Sequence, residues 1–80
     1  EENDWLGHFI EECCDVDPSY MEKSGELYQK YREYAANNGE FTRQNGDFNS
    51  ALENAGFSKR KTKKGAFFHG LKLKEGQDFL

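Results

Sequence analysis

The 80-residue chain has one valine and one isoleucine, so it holds little of the β-branched aliphatic material that favours extended sheet. No apolar run approaches the ~18 residues that a membrane-spanning helix needs. Cysteine is confined to the adjacent pair Cys13 and Cys14, whose side chains diverge by ~100° on a helix and so do not pair with each other. A secreted domain this small usually carries a disulfide framework, so the reading is a reduced, cytoplasmic protein. No signal peptide is visible. The opening Glu1-Glu2-Asn3-Asp4 lacks methionine and reads as the edge of a piece excised from a larger protein.

Chemistry-bearing motifs are scarce as well. No G-x-x-x-x-G-K-[S/T] phosphate loop occurs, so no ATPase function is expected of the chain. His8, Cys13, Cys14 and His69 fit no C-x-x-C or H-x-x-x-H spacing, and no metal or other cofactor is expected. Glu11, Glu12, Asp15 and Asp17 are carboxylates without a nucleophile or base at useful spacing, and read as a solvated helix face and its exit loop. The expectation is a non-enzymatic module.

What the chain does have is aromatic rings: seven Phe, four Tyr and one Trp. A domain of this length hides only ~60–65% of its unfolded surface, and rings raise the apolar area buried per residue. They fall at helical spacing. Leu6, Phe9, Ile10 and Cys13, flanked by Trp5 and Cys14, predict a first helix capped by Asn3 or Asp4 and ended by 15–19 around Pro18. Residues 20–23 form a short extended connector. Ser24 looks like an N-cap, and Leu27, Tyr28, Tyr31, Tyr34 and Ala35 predict a second helix stopped by Asn37-Asn38-Gly39. The tyrosine stripe reads as core. Phe48, Ala51, Leu52 and Ala55 predict a third helix closed by Gly56, with Thr42 or Asn45 as its cap.

From Phe57 the period shortens to two. Phe67, His69, Leu71 and Leu73 alternate with Phe68, Gly70, Lys72 and Lys74, which is strand-like, and Lys63-Lys64-Gly65 reads as a turn from a preceding strand over 57–62. The tail 75–80 reads as loose, with Phe79 and Leu80 available to dock.

Charge is distributed unevenly along this order. Residues 1–40 carry eleven acids and three bases, a net of −8, whereas residues 41–80 carry four acids and eight bases, a net of +4. Between Phe57 and Lys74 lie seven bases and no acid. Such a run favours a polyanion despite the overall charge of −4.

Helix, short extended piece, helix, helix and hairpin is the order of a three-helix winged helix-turn-helix, a mainly α fold with a small β-hairpin (α+β). The residues also resemble a known family. Leu27-Tyr28-Gln29-Lys30-Tyr31-Arg32-Glu33-Tyr34 with Asn38-Gly39 is similar to the "LY-x-x-Y-x-x-W … NG" stretch of phage and plasmid primase-helicases. Phe48, Leu52 and Gly56-Phe57 continue the likeness, Phe67-Phe68-His69-Gly70-Leu71-Lys72-Leu73 ends it, and Phe9-Ile10-Glu11-Glu12-Cys13-Cys14 resembles that family's opening helix. The resemblance spans roughly residues 5–74. Tyr34 stands where the family has tryptophan, and residues 42–56 set Arg43 against Asp47 and Glu53 where the family's third helix tends to be basic.

The resemblance implies a single winged-helix domain, residues 1–80 with an ordered core over about 4–74, at the C-terminus of a larger replication protein. The parent would be a superfamily 3 helicase related to poxvirus-type primase-helicases, in a phage, prophage or mobile element and in a bacterial host cytoplasm. The module would bind DNA, duplex or forked rather than RNA, work beside the parent's helicase core, and be a monomer alone. Wing contacts fall on Lys59, Arg60, Lys61, Lys63, Lys64 and Lys72, with Lys74 in the same run. Groove contacts fall on Arg43, Gln44, Asn45, Asn49 and Ser50 around helix three, because Arg, Asn and Gln suit base edges. The other function kept open is a protein-interaction module that recruits a primase or another replication partner.

Overall fold

The structure is a computed structural model that describes residues 4–74. Asn3 as a cap and the tail 75–80 lie outside the described residues. Within them the order is α1 (Trp5–Cys13), β1 (Cys14–Lys23), α2 (Ser24–Asn37), α3 (Asn45–Asn54), β2 (Ser58–Thr62) and β3 (Gly65–Leu73). The three strands make one antiparallel sheet in the order β1-β3-β2, so the fold is α+β.

Apolar periodicity accounts for the helices. α1 turns Leu6 and Phe9 inward, α2 turns Leu27, Tyr31 and Ala35, and α3 turns Phe48 and Leu52. Asp4 caps α1, accepting from the Gly7 amide at 3.1 Å. α2 begins at Ser24 itself, one residue earlier than a Ser24 cap implies, and Lys23 takes the cap position without a side-chain bond. α3 begins at Asn45 behind Gln44, so neither Thr42 nor Asn45 is its cap. Ala55, placed inward by periodicity, is the exposed C-cap residue, because the helix ends before that position reaches the core.

The centre is an aromatic cluster. Tyr31 stacks on Phe48 with centroids 4.9 Å apart, and Phe9 meets the edges of Tyr31, Tyr34 and Phe48 at 5.7–5.8 Å. Phe48 and Phe9 are fully buried, and Tyr31 nearly so. Offset and edge contacts of this kind add ~0.5–1.5 kcal/mol per pair beyond area burial. With so few aliphatics, rings do the packing.

The sheet departs most from what periodicity suggests. The segment 15–19 does not end α1 as a loop; the chain passes directly from Cys13 into a ten-residue β1. β1 pairs with β3 in two stretches, Cys14–Val16 with Leu71–Leu73 and Met21–Lys23 with Phe67–His69, and the register shifts between them. Opposite that shift, Gly70 has φ +107. The alternation along β3 therefore breaks there: Phe68 and Leu71, three apart, are both fully buried, and Phe67 and His69 face the other way. A Cβ at Gly70 would lie 2.9 Å from the Phe57 ring, so glycine is required for space as well as for φ.

Candidate nucleic-acid interface

The β2–β3 hairpin carries most of the cations singled out from the sequence. β2 is an edge strand, with Ser58–Thr62 paired to Gly65–His69. The turn is Lys63-Lys64, neither of which has positive φ; Gly65 takes φ +126 instead. Thr62 locks it, its hydroxyl donating to the Gly65 carbonyl and accepting from the Lys64 amide, both at 3.1 Å. Two adjacent lysines are thereby fixed at the tip of a ribbon.

Paired residues in a ladder point to the same face of the sheet. Lys59 pairs with buried Phe68 and Lys61 with Ala66, so both lysines lie on the helix side of the ribbon. Arg60 pairs with Phe67 and lies on the opposite side. The cations thus occupy both faces and the tip of the ribbon, not one side. Arg60, Lys61, Lys63 and Lys64 are exposed and Lys59 is half-buried. Among the described residues, none of these five has an ion-pair partner.

Lys72 and Lys74 do not join that cluster. Lys72 lies seven residues beyond Gly65, roughly 20 Å along the strand, where β3 pairs with β1 and not with β2. Its ammonium sits 4.6 Å from the Tyr20 ring centroid. Lys74 meets the acidic first half directly, with Nζ 3.8 Å from Asp15 Oδ1. Tertiary pairing divides a run that is continuous in sequence.

The helix-three set is also divided. Arg43 is not on α3 but in the preceding loop, half-buried, its guanidinium 4.6 Å from the Trp5 ring centroid and 5.8 Å from that of Phe41. Two tyrosines of α2 pin this loop. Tyr28 donates to the Arg43 carbonyl at 2.8 Å, and the Tyr31 hydroxyl accepts from the Arg43 amide at 2.9 Å. Gln44, Asn45 and Ser50 are exposed, whereas Asn49 is half-buried, with an Oδ1 that lacks a hydrogen-bond partner among the described residues. With Arg43 outside the helix, α3 carries Asp47 and Glu53 and no base.

Lys23 is a cation that sequence reasoning missed. β1 pairing sets it beside Phe67, in one row with Arg60. No local signal marks it, because the row is assembled from segments more than 35 residues apart.

Elsewhere the surface offers little chemistry. Among the described residues, no three His, Cys, Asp or Glu are grouped to hold a metal, and no helix is long and apolar enough to cross a membrane. Cys14 is buried, and desolvation followed by the neighbouring Cys13 pushes its thiol up to about 12, away from the reactive thiolate. Cys13 is also raised, chiefly by burial. No protein-family model, curated protein or solved structure matches the chain.

Proposed function

We propose that the chain is a DNA-binding accessory domain, a winged helix-turn-helix whose β2–β3 hairpin is the wing. The observation that carries this reading is the hairpin's charge: Lys59, Arg60, Lys61, Lys63 and Lys64 have no counter-ion among the described residues. Clustered, uncompensated cations displace the counterions condensed on a polyphosphate and bind it irrespective of sequence. The element order and the β1-β3-β2 sheet suit the winged description. The resemblance to primase-helicases supplies the setting, an appendage of a phage or mobile-element replication helicase. There the module would perform no chemistry; tethering would raise the helicase core's effective concentration on its template.

The test is a duplex titration followed by fluorescence anisotropy. If ~4 phosphates are met, affinity falls ~100-fold between 50 and 200 mM salt. Replacing the five hairpin residues with Ala leaves the circular dichroism spectrum unchanged while removing both the low-salt affinity and that salt dependence. Unchanged affinity removes the proposal.

One observation favours a second reading, a protein-interaction module. Phe41 is 77% exposed, beside the Trp5–Arg43 stack. Exposed aromatic and arginine side chains are typical anchors of protein interfaces. Salt-insensitive, weak DNA binding together with a stoichiometric replication-protein partner lost in Phe41→Ala would establish that reading instead.

A further inference from the structure

The sheet has a second face. Its buried residues, Cys14, Phe68 and Leu71, all point towards the helices. On the other side the pairing sets Lys23, Phe67 and Arg60 in one row and Met21, His69 and Ser58 in the next. Beyond them lie Lys72 and the Tyr20 ring it approaches. None of these side chains is buried; Phe67, His69, Tyr20 and Lys72 are half-buried and the others exposed.

Phe67 is set apart from most other rings of the molecule. Trp5, Phe9, Tyr28, Tyr31, Tyr34 and Phe48 all belong to the interlocked cluster in the core. No ring and no cation among the described residues lies on Phe67. It is held on the central strand, paired on both sides, with a cation in the flanking strand on either side. His69 follows two residues along, ~6.5 Å away on the same face. That is about the distance over which a stretched polynucleotide advances by one nucleotide.

We propose that this outer face binds single-stranded nucleic acid, with unpaired bases stacking on Phe67 and His69 and the backbone passing Lys23 and Arg60. The charge on the face fits a polyanion. Of the two acids of β1 nearest this face, Asp15 is turned to Lys74 and Asp17 accepts from the amide and hydroxyl of Ser19. A flat ring flanked by cations, as Phe67 is, suits unpaired bases, which offer a π-face whatever their identity. A duplex keeps those faces inside its own stack, so it gains little from them. The inference rests on the nucleic-acid reading above but on different residues, and adds to it a preference for unpaired strand beside the ribbon.

The experiment compares a labelled 12-nucleotide oligothymidylate with a 12-base-pair duplex, both by anisotropy at 50 mM salt. Phe67→Ala is expected to weaken single-strand binding ~5- to ~150-fold, the range for loss of one stacked base, and to leave the duplex within twofold. Phe67→Tyr restores the single-strand affinity. Should Phe67→Ala disturb folding, ultraviolet cross-linking of bromodeoxyuridine oligomers to the unaltered protein gives the same answer, with adducts expected on Phe67, His69 or Tyr20. Equal losses for both ligands, or adducts confined to the ribbon tip, overturn the inference. If Lys63→Ala with Lys64→Ala weakens binding while Phe67→Ala does nothing, this inference falls and the ribbon reading stands. If the unaltered domain binds neither ligand, both fall. Self-association abolished by Phe67→Ala would assign the face to a second copy of the chain and equally overturn it.

Discussion

α3 and the β2–β3 ribbon touch one another, yet they are built on opposite plans. α3 buries Phe48 and Leu52 completely and presents two carboxylates to solvent. β2 buries nothing completely and presents three cations, with two more at the turn. The element that supplies packing is therefore not the one that supplies charge. Stability and the proposed polyanion affinity would rest on separate residues, so each should yield to mutation without the other.

The largest effect expected is on the packing side. Phe48 stacks on Tyr31 and also meets Phe9, Tyr28 and Trp5 at 5.6–6.5 Å. Phe48→Ala should cost ~3–5 kcal/mol, because the rings around it cannot collapse into the space. In a domain of this size that is most of the available stability. A thermal melt followed by circular dichroism should show no cooperative transition, or one lowered by tens of degrees. A shift of only a few degrees would mean that α3 is not anchored through this ring.

On the charge side, the salt dependence separates the two plans. If ~4 phosphates are met, log affinity falls with log salt at a slope near −3.6, and each hairpin cation removed lowers that slope by ~0.9. Single Lys→Ala changes at 61, 63 and 64 should do this with melting temperatures held constant, since exposed substitutions shift stability by at most ~0.5 kcal/mol. A slope that ignores them would place the anion elsewhere on the molecule.

Between these lies the seam on which the two faces of β3 depend. Gly70→Ala forces a side chain into φ +107 and against Phe57. It should destabilise by ~1–3 kcal/mol, read as a lower urea midpoint. If the strand instead regains strict alternation, Phe68 and Leu71 cease to share a face and the loss is larger. A neutral result would show that the register shift against β1 does not depend on this glycine.

That seam also marks where the sequence stops being readable. The helices were legible because their apolar residues recur every three or four positions and need only local geometry. The hairpin turn was legible from Lys63-Lys64-Gly65 for the same reason. β1 was legible only in its last four residues, 20–23: Asp15, Asp17 and Pro18 are poor strand formers, and the segment that holds them is extended because β3, about 50 residues later, pairs with it. Nor could the period-two pattern of β3 reveal that Gly70 inverts it. The candidate site suffered in the same way. The ribbon cations were visible as a run, but the removal of Lys74 by Asp15, of Arg43 by Trp5 and of Lys72 to the β1 side are tertiary events. Lys23 joined Arg60 by the same route.

The smallest effect is also the most discriminating, because its two halves differ in sign. Asp47 lies in the first turn of α3 and Glu53 in its last. A carboxylate is favourable at the positive end of a helix and unfavourable at the negative end, by ~0.3–1 kcal/mol in each case. Asp47→Asn should therefore lower stability slightly, whereas Glu53→Gln should raise it. Towards a polyanion held by the neighbouring ribbon the two act alike: removing either negative charge should raise affinity ~2- to 5-fold at 50 mM salt, and the gain should vanish as the Debye length shrinks towards 3 Å near 1 M. Affinity and stability thus rise together in Glu53→Gln and diverge in Asp47→Asn, a pattern that a general folding effect cannot produce. If neither change alters low-salt affinity, the nucleic acid does not pass along α3, and the ribbon meets it with the other face of the sheet.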